Sequence, residues 1–336
     1  MRGHDALLVD LDGTVYRGPA AIDGAVETLE AVRARLTVSY VTNNASRGPD
    51  EVADHLRELG LTLDTDDVVT SAQAGAAVLA ERLSPGDKVL VVGTEALAEE
   101  IRLVGLEPVR AEEDEPVAVV QGHSPDTGWR ILAEAALALN RGAAWVACNV
   151  DPTLPNERGL LPGNGSMVAV LRTACAREPD VAGKPAAPLL QQAIDRVGAQ
   201  RPLVVGDRLD TDIAGAHAVG AESLLVLTGV STPAGLLAAP AGQRPTYLGA
   251  DLRVLDDDLA PTAIGDGETG GWTARRDGAA LVLEGSGGDT GDTGDTTAAL
   301  RALCRAAWAS SEPHDTVRGG DEAAEKVIST LGLTTG

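Results

Sequence analysis

Short, uninterrupted apolar runs punctuate the first two thirds of the chain, at 6–9, 36–41 and 203–205, and each stops abruptly at polar residues or glycine. Runs of that length, bounded by turn residues, predict strands of a parallel sheet buried on both faces. Between them the apolar positions recur every third or fourth residue, over 25–35, 50–59 and 187–197, which predicts helices. The alternation of strand and helix predicts an α/β fold with a doubly wound parallel sheet.

A second alternation fills the middle: strand 88–92, helix 95–104, strand 117–120, helix 129–140 and strand 144–148. A Pro/Gly-rich loop, 151–165, and a helix over 166–177 follow. Strands like those of the first unit resume at 203, so the middle reads as an α/β domain inserted into the first. The expected division is 1–77 and 181–260 for the core, 78–180 for the insertion and 261–336 for a small α+β accessory domain. In that last part 272–276 and 279–283 flank Asp277-Gly278, a hairpin signal. Residues 287–296 form a Gly-Asp-Thr tract unable to bury apolar surface, and helical patterns at 297–310 and 321–330 close the chain.

Composition narrows the classes. Of 336 residues 44% are apolar and 23% charged, an ordinary globular balance. Asp and Glu outnumber Lys and Arg by 50 to 27, a formal charge of −23, so neither nucleic acid nor an anionic membrane is an expected partner. An anionic substrate would need local positive charge from a metal, a lysine or helix N-termini. No apolar run approaches the roughly 20 residues that span a bilayer, and no signal-like segment opens the sequence, so the expected location is cytoplasmic. The three cysteines, Cys148, Cys175 and Cys304, match neither a disulfide framework nor a zinc spacing and read as buried free thiols.

Candidate chemistry gathers where the strands end, the edge at which open α/β sheets bind ligands. Asp10-Leu11-Asp12-Gly13-Thr14 follows the first run. Two carboxylates two positions apart on an extended backbone would point the same way. At a few ångströms they repel by about 4 kcal/mol at an effective dielectric of 20, so a cation or a shared proton is required. The second run leads into Thr42-Asn43-Asn44, a hydroxyl and two amides able to donate to phosphoryl oxygens. The third leads into 206–212, where Asp207 is placed to ligate a metal and Asp212 to orient its water. Lys184, one of only three lysines, lies in Gly183-Lys184-Pro185. With Pro185 suited to the first helical position, Lys184 is expected at a helix N-terminus, a site favourable to anions.

Together, in this order, these four segments resemble the motifs of the haloacid dehalogenase (HAD) phosphatases over about residues 5–250, and the insertion resembles the cap of their class IIA members. The stretch 149–155, with Gly159 and 162–165, is similar to the class IIA cap loop. Its wording and the extra tail look most like the glycerol-3-phosphate phosphatases of glycerophospholipid headgroup recycling. The resemblance implies that Asp10 attacks phosphorus, that Asp12 acts as acid and then base, and that Mg²⁺ is held by Asp10, the Asp12 carbonyl and Asp207, with Asp212 in support. Thr42, Asn43, Asn44 and Lys184 would bind the phosphoryl group of a small phosphorylated metabolite.

Two other expectations stand beside this one: a nucleotide, pyridoxal phosphate or sugar phosphate as substrate, and an inactive phosphatase-like binding or regulatory protein. His123 and Arg158 are weaker substrate-contact candidates. The tail faintly resembles an acetyltransferase fragment but lacks its pyrophosphate loop, so a structural role, or a dimerising one in a possible homodimer, is expected of it.

Overall fold

The computed structural model describes residues 3–156, 158–265, 269–285 and 296–333, and the chain divides into two compact units. The first comprises residues 1–17, 21–37 and 200–336, the second 18–20 and 38–199. Among the described residues no helix is long and apolar enough to cross a membrane.

In the first unit four parallel strands run in the order Tyr247–Gly249, Glu222–Val226, Pro202–Gly206, Ala6–Val9. Ala6–Val9 is buried at every position, which is why its sequence is continuously apolar rather than alternating. A second, three-stranded sheet pairs Trp272–Asp277 antiparallel with Ala280–Gly285, and the latter parallel with Thr316–Gly319. Asp277 faces Ala280 across a two-residue turn whose Gly278 has φ +61°, the positive φ such tight hairpins require. Helices Thr296–Trp308 and Glu322–Thr330 cover this sheet. Leu225 and Leu248 of the first sheet share one apolar core with Leu281, Leu283, Leu300 and Leu303 of the second layer.

The second unit holds the parallel pair Thr37–Thr42 and Val68–Thr70 and a five-stranded parallel sheet. The order in the latter is Asp180–Val181, Ala144–Ala147, Ala118–Gln121, Lys88–Val92, Glu107–Val109. Side chains alternate across it: Val119 and Trp145 join a core with helices Trp129–Asn140 and Asn164–Cys175. Val120 and Val146 lie instead within 4 Å of where a Cβ on Gly75 would sit, in helix Ser71–Ala80. Both faces are therefore covered.

Three expectations need revision. The 151–165 stretch is not all loop: Thr153–Asn156 pairs antiparallel with Gly159–Pro162, and the next helix begins at Asn164 rather than 166. Pro185 does not open a helix: the helix runs from Ala187 to Val197 with Pro188 in its first turn. Of the cysteines, Cys148 and Cys304 are buried free thiols but Cys175 is only half-buried. The Gly-Asp-Thr tract falls outside the described residues, apart from Thr296.

Candidate active site

Asp10 and Asp207 each lie just past the carboxyl end of a strand, and the two strands are neighbours in the register Val9 to Val205. The Asp10 N–H donates to the Val205 carbonyl at 2.8 Å, so the ladder continues one residue further and fixes the Asp10 main chain. A parallel ladder thus brings together two residues nearly 200 positions apart. After Asp207 the chain makes one wide π-helical turn, Leu209–Ile213, which returns Asp212 beneath the strand end. Carboxylate oxygens of Asp10, Asp207 and Asp212 lie within 4.8 Å of one another.

Asp207 is fully buried and Asp212 1% exposed. Glycines make the approach feasible. A Cβ on Gly13, at φ +89°, would sit 2.7 Å from Asp207 Oδ2, one on Gly229 at 1.9 Å from the same oxygen, and one on Gly206 at 2.3 Å from the Asp212 carboxyl carbon. Main-chain groups hold the carboxylates: Val230 N–H donates to Asp207 Oδ2 at 2.5 Å and Arg208 N–H to Asp212 Oδ2 at 3.0 Å. Three anions this close repel by about 4 kcal/mol per pair at an effective dielectric of 20. The donor set is all carboxylate oxygen, the set a hard divalent ion such as Mg²⁺ or Ca²⁺ prefers, so the residues fit such an ion.

Asp12 lies outside that group, exposed at the following turn, where Val15 N–H bonds the Leu11 carbonyl at 2.8 Å. The Asp12 carboxylate does not join the group of Asp10, Asp207 and Asp212, the chain having begun to turn at Leu11. Thr14 Oγ1 donates to Asp10 Oδ2 at 3.5 Å. Asp210, the other acid of the turn, pairs with Arg208 at 2.8 and 3.0 Å, and that guanidinium lowers its pKa.

In the second unit Lys184, Thr42, Asn43 and Asn44 come together. Lys184 is 2% exposed, and its ammonium donates to the Val41 carbonyl at 3.3 Å. Asn43 holds the Lys184 main chain at both ends: Lys184 N–H donates to Asn43 Oδ1 at 2.8 Å, and Asn43 Nδ2 donates to the Lys184 carbonyl at 2.9 Å. Asn43 Nδ2 also reaches Asp151 Oδ2 at 3.2 Å. Gly183 is required here, since a Cβ would fall 2.4 Å from the Cys148 carbonyl and 2.7 Å from Asn43 Oδ1. Thr42 Oγ1 accepts from Asn44 N–H at 3.0 Å, while Asn44 Oδ1 accepts from the Ser46 N–H and hydroxyl.

One group of residues went unnoticed in the sequence. Thr228-Gly229-Val230-Ser231 braces the acidic loops: Thr228 Oγ1 donates to the Gly13 carbonyl at 2.7 Å, and Ser231 Oγ accepts from Leu209 N–H at 3.0 Å. The signal was available, since the apolar run 224–227 stops at Thr-Gly just as the other strands stop. Asn149 and Asn164, which lie in the stretches similar to the cap loop, are linked to the Thr42–Asn44 loop, with Asn149 Nδ2 donating to the Asn43 carbonyl at 2.7 Å and Asn164 Nδ2 to the Asn149 carbonyl at 2.7 Å. Arg158 is exposed at the hairpin turn, and burial lowers the pKa of His123.

Residues 7–107 match the haloacid dehalogenase-like hydrolases, 181–255 a HAD-hydrolase-like family, and 269–333 a GCN5-related N-acetyltransferase-like domain. A D-glycerol 3-phosphate phosphatase of Mycobacterium tuberculosis is 52% identical over 98% of this chain and 94% of its own. An acid sugar phosphatase of Staphylococcus epidermidis is 36% identical over 77% of this chain and 99% of its own. Among solved structures, a glycerol phosphate phosphatase from M. tuberculosis in complex with magnesium superposes with TM-score 0.91 at 51% identity, covering 98% of both chains. A p-nitrophenyl phosphatase from Archaeoglobus fulgidus gives 0.70 at 32% identity, covering 75% of this chain and 98% of its own.

Proposed function

The chain belongs to the haloacid dehalogenase-like hydrolases, and from that premise we propose that it is a Mg²⁺-dependent phosphatase converting glycerol 3-phosphate to glycerol and phosphate. The observation that carries the reading is the cluster of Asp10, Asp207 and Asp212 at the carboxyl ends of adjacent strands. The relatives named for glycerol phosphate, one of them crystallised with magnesium, support the substrate and the ion.

Asp10 is the nucleophile: one carboxylate oxygen forms a bond to phosphorus as the bond from phosphorus to the glycerol oxygen breaks. Asp12, exposed and outside the carboxylate cluster, gives its proton to that departing oxygen. It then takes a proton from the water that attacks the aspartyl-phosphate, which releases phosphate and restores the Asp10 carboxylate. Asp10 and Asp207 hold Mg²⁺ through carboxylate oxygen and Asp12 through its carbonyl, with Asp212 in support. Bound there, the ion neutralises phosphoryl charge and relieves the repulsion among the aspartates.

Lys184 and Thr42 take the charge on the phosphoryl oxygens through the ammonium and the hydroxyl. Asn43, whose side chain is engaged by Lys184 and Asp151, contributes its main-chain N–H group, and Asn44, whose N–H donates to Thr42 Oγ1, orients that hydroxyl toward the phosphoryl oxygens. The reading includes the cytoplasm, in keeping with three free cysteines, and a homodimer. It also retains the division into core 1–77 and 181–260, cap 78–180 and accessory domain 261–336.

The test is phosphate release with and without Mg²⁺, comparing kcat/KM for glycerol 3-phosphate, glycerol 2-phosphate, a nucleoside monophosphate, pyridoxal phosphate and a sugar phosphate. Glycerol phosphates should lead. A sugar phosphate or nucleotide ahead of them by about tenfold, or 1.4 kcal/mol, removes the substrate assignment, and release that does not need Mg²⁺ removes the mechanism.

A further inference from the structure

The acetyltransferase-like segment has no part in the chemistry above, yet it is joined to the loop that carries two of the three aspartates. The wide turn Leu209–Ile213 presents Asp212 on one side and buries Leu209 and Ile213 on the other. Those two side chains belong to the same apolar core as Leu236 and Leu237 of helix Pro233–Leu237 and Ala299, Leu300 and Leu303 of helix Thr296–Trp308. The two helices pack directly on each other. The short helix Pro233–Leu237 is continuous with the brace, since Thr232 caps it and the preceding Val230 and Ser231 bond Asp207 and Leu209.

A second route starts from Trp308 at the end of the long helix. The Arg244 guanidinium lies 5.2 Å from its ring centroid, and the Arg244 carbonyl meets His217 Nε2 at 2.9 Å. His217 is on helix Ala214–Ala218, which continues from the turn without a break. Arg301, 4% exposed on the same long helix, donates to the Leu248 carbonyl of the phosphatase sheet at 3.5 Å.

We infer that the C-terminal domain is a positioning element for the cation site, holding Asp207 and Asp212 against their mutual repulsion so that the ion meets ligands already in place. The inference rests on the assignment of Asp207 to Mg²⁺ with Asp212 in support. Its physical basis is preorganisation. Loosening the core lets the like-charged carboxylates spread, and the ion must then gather them at a cost in affinity. Residues that orient metal ligands typically change affinity by 10- to 100-fold when mutated.

Calorimetric titration of the full-length protein with Mg²⁺ and no substrate tests this on wild type, Leu303→Ala, Trp308→Leu and Leu29→Ala. Leu29 is fully buried in the same unit, on helix Ala25–Arg33, but outside the shared core. Leu303→Ala and Trp308→Leu should weaken Mg²⁺ binding by about tenfold, with kcat recovered at saturating Mg²⁺. Leu29→Ala should lower Tm and leave Mg²⁺ affinity unchanged. Equal affinity in wild type and both tail variants overturns the inference, as does a loss in Leu29→Ala as large as theirs. If Leu303→Ala does not fold, the half-buried Trp308 variant decides alone. Wild type that binds no Mg²⁺ would remove the functional reading itself, a result distinct from wild type and tail variants binding alike.

Discussion

The acidic cluster of the first unit and the amide and lysine network of the second solve opposite problems. Asp10, Asp207 and Asp212 are like charges within 4.8 Å, held by main-chain N–H groups and by glycines that leave no room to retreat. Around Lys184 the contacts are mutually satisfying: amide to main chain, amide to carboxylate, ammonium to carbonyl. The first arrangement is imposed by the fold against electrostatics, while the second is favourable locally. The acidic cluster should therefore respond most to lost ligands and crowding in what it binds, and the lysine network most to lost hydrogen bonds in how stably it folds.

The largest effect expected is at the proposed nucleophile, Asp10. Asp10→Asn keeps the shape and removes the attacking anion, so Mg²⁺-dependent phosphate release should fall by at least ~10³-fold. Activity within tenfold of wild type would show that the cluster is not catalytic. Next comes crowding of the cluster without change of charge. Gly229→Ala puts a methyl where Asp207 Oδ2 now lies, at 1.9 Å. Mg²⁺ affinity should fall about 10- to 100-fold in calorimetry, and an unchanged affinity would mean that the cradle is slack.

On the other side of the comparison, Asn43→Ala takes from Lys184 the two main-chain hydrogen bonds that fix it. Urea denaturation should show a loss of about 1–3 kcal/mol, with Mg²⁺ affinity close to wild type. Weakened Mg²⁺ binding with full stability would reverse the contrast.

The smallest effect sharpens the picture at the far end of the first sheet, where charge is paired rather than clustered. Tyr247 donates to Glu222 at 3.0 Å, and His4 meets the same carboxylate at 2.8 Å. Burial, then the hydrogen bond to Glu222, pushes the Tyr247 phenol up to about 12. The raised folded value means that its stabilisation is complete below the ordinary tyrosine range and is lost as pH climbs from there through about 12. An ultraviolet titration of wild type against Tyr247→Phe should give a difference curve with one ionisation at about 12; a difference curve that titrates in the ordinary tyrosine range would exclude the pairing with Glu222.

Much of this was legible in order of residues. Strand Lys88–Val92 and helices Trp129–Asn140 and Ala187–Val197 lie where periodicity put them, because burial on one or both faces writes itself into spacing. The hairpin at 153–162 was missed because prolines and glycines, read as loop signals, here flank and occupy two short strands with exposed leucines. Helix Ser71–Ala80 was missed too, since it is buried nearly all round and shows no polar face to reveal its period.

The candidate residues were legible in the sequence alone, since carboxylates and a rare lysine beside glycines at the ends of apolar runs are a local pattern. Tertiary structure alone decided their grouping. Whether two carboxylates meet depends on strand order and register, and those are set by packing across the sheet. That is why Asp212 joins Asp10 and Asp207 while Asp12, two residues from Asp10, does not. The same holds for the tail, whose apolar helix looked like an appendage and instead shares a core with the turn between two of the aspartates.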